Sequence, residues 1–251
     1  MKIYHPYGNK KIFFIKSCAK ILNYLVLIIL SFFLKINRSK NEIIISAAFY
    51  APWKEDENFY SFYSKIENLT LLDVKRLYTL WYFVRDLQNI NSNILDLGCL
   101  QGGAGFLMSK VNKKGYTYLF DTFEGFVEEE KFHKKNHFVY KDIKSVKINI
   151  KKFRLKNTKV YKCQFPNELS SSFKKKKFKI CHLDVNTYKS TKKSFEFVKN
   201  RMIKGGIIIF DDYGIYGVDS IKKFINQISK KNKKDFSFVY NFMGQCIVIK
   251  K

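Results

Sequence analysis

The sequence of 251 residues has few of the residues that interrupt regular structure, with only three prolines and twelve glycines. This scarcity excludes a chain rich in turns and flexible linkers and favours helices and strands. None of the five cysteines forms a CxxC pair; they are Cys18, Cys99, Cys163, Cys181 and Cys246. An odd, scattered set of cysteines excludes a disulfide framework and a cysteine metal site, and it favours free thiols in the reducing cytoplasm.

Acidic residues are absent before Glu42, whereas basic residues are frequent there: Lys2, Lys10, Lys11, Lys16, Lys20, Lys35, Arg38 and Lys40. The uncharged segment 21–34 lies between Lys20 and Lys35, and it is shorter than the roughly 20 apolar residues of a membrane span. No small-residue cleavage site follows, which disfavours a signal peptide. We therefore expect a basic, apolar helix within residues 1–40 that lies on the anionic inner membrane face. Docking on its own domain or on a second copy in a homo-oligomer is the alternative.

The net charge of +26 raises the possibility of nucleic-acid binding, because lysine neutralises phosphate. However, no aromatic residues interleave the lysine runs at 174–177 and 230–234, as base-stacking platforms would require. The lysines are therefore interpreted as solvated surface, and a nucleic-acid partner is disfavoured.

Strand-like and helix-like segments alternate from Asn93 to the end of the chain. Strands are expected at 93–98, 117–123, 158–163, 179–185, 206–213, 235–242 and 245–250, and helices at 103–111, 143–153, 190–202 and 217–231. This alternation implies crossover connections and a mostly parallel sheet covered on both faces, which is an α/β fold. Ligands bind such sheets beyond the carboxyl ends of the strands.

Glycines cluster where the first strand turns into a helix, at Gly98, Gly102 and Gly103. Leu100 stands where the second glycine of GxGxxG would be, which disfavours a dinucleotide site. Asp96, beside this turn, can bind a positively charged amino group. Asp121, at the end of the next strand, can accept hydrogen bonds from two ribose hydroxyls. The pattern predicts a nucleoside-containing cosubstrate.

Three aspartates follow two further strands: Asp184 after the strand at 179–185, and Asp211 with Asp212 after the apolar segment 206–210. If these strands are neighbours, the carboxylates meet at one sheet edge, where their mutual repulsion favours a bound cation. Hard oxygen ligands favour Mg²⁺, with Mn²⁺ as a substitute. An aspartate that only caps the following helix is the alternative. His182 lies deeper on the same strand face as Asp184, where we expect a supporting role.

These segments resemble the macrocin O-methyltransferase family, which methylates sugar hydroxyls. The likeness runs from about Leu69 to Lys251, and its blocks are 95–103, FDTFEG at 120–125, HLDVNTY at 182–188, GG at 205–206, FDDYG at 210–214 and GQCIVIK at 244–250. It implies a Rossmann-like class I methyltransferase with a seven-stranded, mostly parallel sheet and an N-terminal helical extension. It also implies S-adenosylmethionine bound near Asp121 and Thr122, and Mg²⁺ held by Asp184, Asp211 and Asp212.

Two positions depart from this resemblance: Asn186 replaces an aspartate of many relatives, and Gln101 replaces a frequent arginine. The chain is expected to comprise the N-terminal helix at 1–40, a helical cap on the substrate side at 41–85 and the cosubstrate-binding domain at 86–251. The predicted enzyme is cytoplasmic and peripheral on the inner membrane face.

The predicted reaction is metal-assisted methyl transfer to a hydroxyl of a sugar or glycoconjugate. Metal coordination lowers the pKa of the hydroxyl, and a nearby base removes its proton. Asp184, His133 and His137 are the candidate bases. One alternative is a nucleic-acid methyltransferase, but the segment after the fourth strand lacks the Asn/Asp-Pro-Pro-Tyr sequence of enzymes that methylate base amino groups. Another is a membrane-associated protein that keeps the fold without activity.

Overall fold

The computed structural model describes residues 9–34 and 50–251, apart from positions 131, 132, 136 and 216. The chain divides into two compact units, residues 1–52 and 53–251. The basic residues predicted on either side of the N-terminal helix, at positions 2, 35, 38 and 40, lie outside the described residues.

Helix α1 (Asn9–Leu34) is longer than the uncharged run in the sequence. Its segment Phe14–Phe33 is long and apolar enough to cross a membrane, judged by length and composition alone. At about 1.5 Å per residue, 20 residues span about 30 Å. The uncharged run underestimated this length because the segment also includes Lys16 and Lys20. Its exposed apolar side chains are Phe14, Ile21, Leu22, Tyr24, Leu25, Ile29, Phe32 and Phe33.

Three helices precede the first strand, α2 (Pro52–Glu55), α3 (Glu57–Ile66) and α4 (Val74–Asp86). Aspartates cap two of them: Asp56 accepts from the Phe59 N–H, and Asp73 accepts from the Lys75 and Arg76 N–H groups. Such caps satisfy backbone donors that have no partner inside the helix. The capping aspartate of α4 therefore fixes the helix end that carries Arg76.

The remaining chain forms a seven-stranded sheet. Its strands are β1 (Asn93–Leu97), β2 (Thr117–Asp121), β3 (Thr158–Lys162), β4 (Phe178–Leu183), β5 (Met202–Phe210), β6 (Phe236–Tyr240) and β7 (Cys246–Lys250). The order is β3-β2-β1-β4-β5-β7-β6, and β7 is antiparallel to both of its neighbours. The connecting helices are α5 (Gly103–Val111), α6 (Ile143–Lys152), α7 (Ser171–Lys174), α8 (Tyr188–Val198) and α9 (Asp219–Lys231). The predicted α/β fold is confirmed.

Alternate side chains of each central strand enter two hydrophobic cores, one on each face of the sheet. In β5, Ile208 and Phe210 pack in the core that α8 and α9 cover, whereas Ile207 and Ile209 pack in the core that α3, α4 and α5 cover. This period of two is the expected geometry of a strand that is buried on both faces.

The helix predicted at 190–202 and the strand predicted at 206–213 were wrong in their bounds. Helix α8 ends at Val198, and β5 already begins at Met202. The Arg201 N–H donates to the Val198 carbonyl in a tight turn, and Met202 pairs with Phe178 across a register irregularity in β4. Met202 continued the helical spacing of apolar residues, which is why the pattern extended the helix too far.

A buried lysine closes the end of the sheet opposite the carboxyl ends of the strands. Lys179 in β4 is fully buried, and its Nζ donates to the carbonyls of Ile90 (2.9 Å), Lys114 (3.0 Å) and Gln88 (3.4 Å). The ammonium group satisfies three loop carbonyls that the strands leave without partners. Lys179 therefore supports the fold rather than the chemistry.

Candidate active site

A cavity of about 410 Å³ opens at the carboxyl ends of β1, β2, β4 and β5, within the size range of small-molecule sites. Most of the site residues predicted from the sequence line it: Gly98, Asp121, Thr122, His133, Asp184, Asp211 and Asp212. His182, Asn186 and Arg76 also line it. Asp96, Gly102, Gly103 and His137 are not among the lining residues.

Gly98 allows two strand ends to approach closely. It has a φ of +84°, and a Cβ at this position would lie 1.8 Å from the carbonyl oxygen of Asp184. Its N–H donates to the Phe120 carbonyl at 2.9 Å. Any side chain here would push the turn after β1 away from Asp184, so glycine determines how the two halves of the site meet.

The other two glycines shape the beginning of α5. Gly102 has a φ of +93°, and a Cβ on Gly103 would lie 2.5 Å from the Leu69 carbonyl oxygen. Both positions therefore serve backbone conformation and packing. Their direct contact with a cosubstrate remains a prediction.

The Asp121 carboxylate is fixed by the backbone of two loops. Its Oδ2 accepts from the Leu100 N–H at 2.8 Å, and its Oδ1 accepts from the Phe123 N–H at 2.7 Å. Burial raises the pKa of Asp121, although these hydrogen bonds oppose the shift. Leu100 and Phe123 both have positive φ angles, of 48° and 57°, a strained conformation that is common at binding sites. Each carboxylate oxygen keeps a lone pair for a ligand hydroxyl.

His182 joins two aspartates behind the cavity. Its Nδ1 lies 2.7 Å from Asp96 Oδ1, and its Nε2 lies 3.4 Å from Asp211 Oδ1. Burial lowers the pKa of His182, but the hydrogen bonds and charges of Asp211 and Asp96 outweigh it and raise that pKa well above its ordinary value. The two carboxylates at its ring nitrogens thus favour the protonated ring of His182, which contacts the cluster rather than standing free in the cavity. Asp96, 1% exposed, faces this histidine.

Asp211 is held from both sides. Gln245 Nε2 donates to its Oδ1 at 2.8 Å, and Arg76 Nη1 forms an ion pair with its Oδ2. Burial raises the pKa of Asp211, but the bonds and charges of His182 and Arg76 outweigh it and lower that pKa below its usual value. The Asp211 carboxylate therefore stays ionised although it is buried.

Asp184 and Asp212 have no such cation of their own. Burial, followed by the charges of Asp212 and Asp211, raises the pKa of Asp184 well above its ordinary value. Burial and the Asp211 charge raise the pKa of Asp212 to about 7. Asp212 Oδ2 is buried and has no hydrogen-bond partner among the described residues. Asn186 supports Asp184 with a neutral amide, since its Nδ2 donates to Asp184 Oδ1 at 3.3 Å.

The charges of this cluster do not balance. The carboxylates of Asp96, Asp184, Asp211 and Asp212 face two cations, His182 and Arg76, which leaves a charge of −2 when all are ionised. His182, Asp184 and Asp211 each place one ligand atom within 4.8 Å of the others. Because both ring nitrogens of His182 already contact carboxylates, we consider Asp212 the better candidate ligand. The buried oxygen without a partner and the uncompensated charge both suit one divalent cation.

The two candidate histidines lie in different surroundings. His133 is buried against the ring of Phe126 (5.0 Å between centroids), and its Nδ1 lacks a hydrogen-bond partner within the described ranges. Burial lowers the pKa of His133. His137 is exposed, and its Nδ1 is 3.5 Å from the Lys134 N–H.

Arg76 and Gln245 were not predicted as site residues. They contact Asp211 from 135 and 34 residues away along the chain, so no local spacing could reveal either contact. The only signal was indirect: both lie within segments that resemble the family.

The sheet order and a cavity bounded by Asp121 and the acidic cluster define a class I, S-adenosylmethionine-dependent methyltransferase. The sequence model of the macrocin-O-methyltransferase (TylF) family matches residues 66–237. The chain belongs to this family, and it is an O-methyltransferase; the resemblance seen in the sequence is confirmed.

Solved structures agree on the fold. The O-methyltransferase NovP matches with a TM-score of 0.63 at 16% identity over 73% of this chain and 82% of that chain. The calicheamicin methyltransferase CalS11 matches with a TM-score of 0.58 at 11% identity over 85% and 99%. An O-methyltransferase from Bacillus cereus, solved in complex with SAH, matches with a TM-score of 0.53 at 16% identity over 76% and 91%. No curated protein matches the sequence.

Proposed function

We propose that this enzyme methylates a hydroxyl group of a sugar or glycoconjugate, with S-adenosylmethionine as donor and Mg²⁺ or Mn²⁺ at the acidic cluster. The observation that carries the proposal is the cavity itself, which has the Asp121 carboxylate and the carboxylates of Asp184, Asp211 and Asp212 on its walls. A donor and a chelating acceptor can therefore meet in one cavity.

The donor is assigned to the half of the cavity formed by β1 and β2. Asp121 accepts hydrogen bonds from the ribose hydroxyls with its remaining lone pairs. Thr122 stabilises the adjoining loop, because its hydroxyl donates to the Gly125 carbonyl at 2.7 Å. We assign Asp96 an indirect role, since its Oδ1 is committed to His182.

The acceptor is assigned to the half of the cavity formed by β4 and β5. Asp184 and Asp212, with Asp211 beside them, would hold the divalent cation. A bound cation would act as a Lewis acid that favours loss of the hydroxyl proton. The family supports an acceptor of the sugar or glycoconjugate class, since the resemblance to macrocin O-methyltransferases implies methylation of sugar hydroxyls.

His133 is the base that this geometry favours. Among Asp184, His133 and His137, it combines a position on the cavity wall with a ring nitrogen that has no partner in the described chain. A lowered pKa keeps the ring neutral near pH 7, as a proton acceptor must be. His133→Ala should lower kcat about 100-fold or more, whereas His137→Ala should not. Equal activity of both variants would exclude His133.

Calorimetry and turnover assays test the main proposal together. Asp121→Asn should weaken S-adenosylmethionine binding, whereas Asp184→Asn and Asp212→Asn should retain it and lose turnover on glycan acceptors. Chelation by EDTA should abolish turnover, and Mg²⁺ or Mn²⁺ should restore it. Turnover that persists after chelation would overturn the metal role.

RNA is the alternative acceptor that the turnover assays should compare with glycans. The net charge is +26, and lysine can neutralise the phosphates of a nucleic acid. Methyl transfer to RNA in place of glycans would overturn the sugar assignment.

We also propose that the cytoplasmic enzyme is peripheral on the inner membrane face through α1. The support is the row of exposed apolar side chains together with the exposed Lys16 and Lys20, which suit an anionic lipid surface. The full chain should sediment with vesicles that contain phosphatidylglycerol but not with phosphatidylcholine alone. Lys16→Gln/Lys20→Gln should reduce this binding, and the control Lys233→Gln/Lys234→Gln should not. Resistance to alkaline extraction would indicate a spanning helix, and a soluble dimer would indicate a homo-oligomer instead.

A further inference from the structure

Arg76 occupies the acidic cluster as a fixed cation. Its Nε donates to Asp73 Oδ2 at 2.8 Å, and its Nη1 pairs with Asp211 Oδ2. Its side chain is 15% exposed and lines the cavity. Two carboxylates therefore orient the guanidinium, and one of them is a ligand assigned to the divalent cation.

Every oxygen of Asp211 already has a partner. Oδ1 faces Gln245 and His182, and Oδ2 faces Arg76. A divalent cation on Oδ2 would lie within a few ångströms of the guanidinium, and like charges at such distances repel strongly in a buried site. Although Oδ2 keeps a second lone pair, this repulsion makes the cation and Arg76 compete for Asp211.

We propose that Arg76 is a built-in competitor of the divalent cation at Asp211. In the cation-free enzyme it neutralises Asp211, so that only Asp184 and Asp212 remain without compensation. Arg76 leaves Asp211 when the cation binds, and the affinity for the cation is lowered by the strength of this ion pair. The inference rests on the proposed metal site and adds a residue that sets its affinity.

The position of Arg76 links this exchange to the acceptor side. Arg76 is in the first turn of α4, and the preceding residues Thr70, Leu71 and Leu72 also line the cavity. A ligand that contacts this segment also contacts the backbone that holds Arg76. A ligand that moves this segment would therefore also move the Arg76 side chain at the cation site.

Binding of Mn²⁺ to the full-length protein tests the competition without an activity assay. Free Mn²⁺, measured by electron paramagnetic resonance, gives the Kd for wild type, Arg76→Met and Arg85→Met. Arg85 is the matched control because it lies on the same helix and pairs with Asp56 at 2.9 Å, outside the cavity lining. Arg76→Met should bind Mn²⁺ about tenfold more tightly or better, and Arg85→Met should match wild type.

A second measurement uses wild-type protein only, so it does not depend on the folding of a variant. The chain has five arginines, Arg38, Arg76, Arg85, Arg154 and Arg201, and their Nε–Hε signals can be followed by NMR during a Mg²⁺ titration. The Arg76 signal should shift as Mg²⁺ saturates, whereas the Arg85 signal should not.

The outcomes separate this inference from the proposed function. Unchanged or weaker Mn²⁺ binding by Arg76→Met, or an Arg76 signal that does not respond to bound Mg²⁺, overturns the competition and leaves the metal site standing. Absence of Mn²⁺ binding in all three proteins overturns both.

Discussion

The metal-free enzyme should become less stable as pH rises towards neutrality, and Asp212 is a principal reason. The pKa of Asp212 is raised from an ordinary 3.8 to about 7 by burial and by Asp211. The folded state therefore binds more protons than the unfolded state between these two values, and the free energy of unfolding falls as pH rises through this window. Above about pH 7 both states are ionised, and the loss is complete.

The size of this loss of stability follows from the pH range over which unfolding can be measured. Each pKa unit corresponds to about 1.4 kcal/mol, so the two units between pH 5 and pH 7 correspond to about 3 kcal/mol. Asp212→Asn removes this titration while it keeps the size of the side chain. From pH 5 to pH 8, the free energy of unfolding of the metal-free variant should therefore rise by about 3 kcal/mol relative to that of wild type.

Urea unfolding at pH 5 and pH 8, in the presence of EDTA, measures this difference. Asp219→Asn is the control, because Asp219 is 83% exposed on α9 and its loss should change stability by about 0.5 kcal/mol or less. If the stability difference between Asp212→Asn and wild type is the same at both pH values, then Asp212 does not titrate in this range, and the uncompensated charge inferred for the cluster is wrong.

Three further results are expected. Gly98→Ala should destabilise the fold by about 3 kcal/mol or more in thermal unfolding, because its Cβ would lie 1.8 Å from the Asp184 carbonyl oxygen. Gly205→Ala is the control and should cost about 1 kcal/mol, because nothing lies within 4 Å of its Cβ. Equal losses for the two variants would refute the packing role of Gly98. Lys179→Met should cost about 3 kcal/mol, because a fully buried side chain loses its hydrogen bonds to three carbonyls. Exposed Lys177→Met is the control, and a loss as small as that of the control would contradict this role. Mg²⁺ should raise the Tm of wild type more at pH 8 than at pH 5, since only ionised Asp184 and Asp212 bind it; a pH-independent rise would place the cation elsewhere.

The fold was predictable because its strands alternate regularly with helices. Buried parallel strands are short apolar runs, and each run from 93 onward corresponded to a strand of the sheet. The end of α8 was wrong because apolar residues continued the helical period past a turn, as at Met202, and the short helix α7 was not predicted. The length of α1 was underestimated for a different reason: two lysines near one end of a long apolar helix interrupt an uncharged run without shortening the helix.

The acidic half of the site was predictable for a topological reason. Carboxyl ends of neighbouring parallel strands meet at one edge, so aspartates that end β4 and β5 must lie close together. The partners that stabilise these aspartates were not predictable, because they include Arg76 in α4 and Gln245 just before β7. The difference between His133 and His137 was also hidden, since the sequence around them shows no helical or strand period that would orient a side chain.

Asn186, an uncharged residue, limits the negative charge of the acidic cluster. Asn186 has a positive φ of 54°, a conformation that asparagine and aspartate both tolerate, so the backbone does not require the amide. Its Nδ2 donates to Asp184 Oδ1, which an aspartate could do only when protonated. The amide thus supports Asp184 without adding to the repulsion among the carboxylates. With Asn186 in place, the excess charge is −2, which a single divalent cation neutralises. An aspartate here would add a fifth carboxylate to the cluster, and its negative charge would remain uncompensated beside His182, Arg76 and one divalent cation.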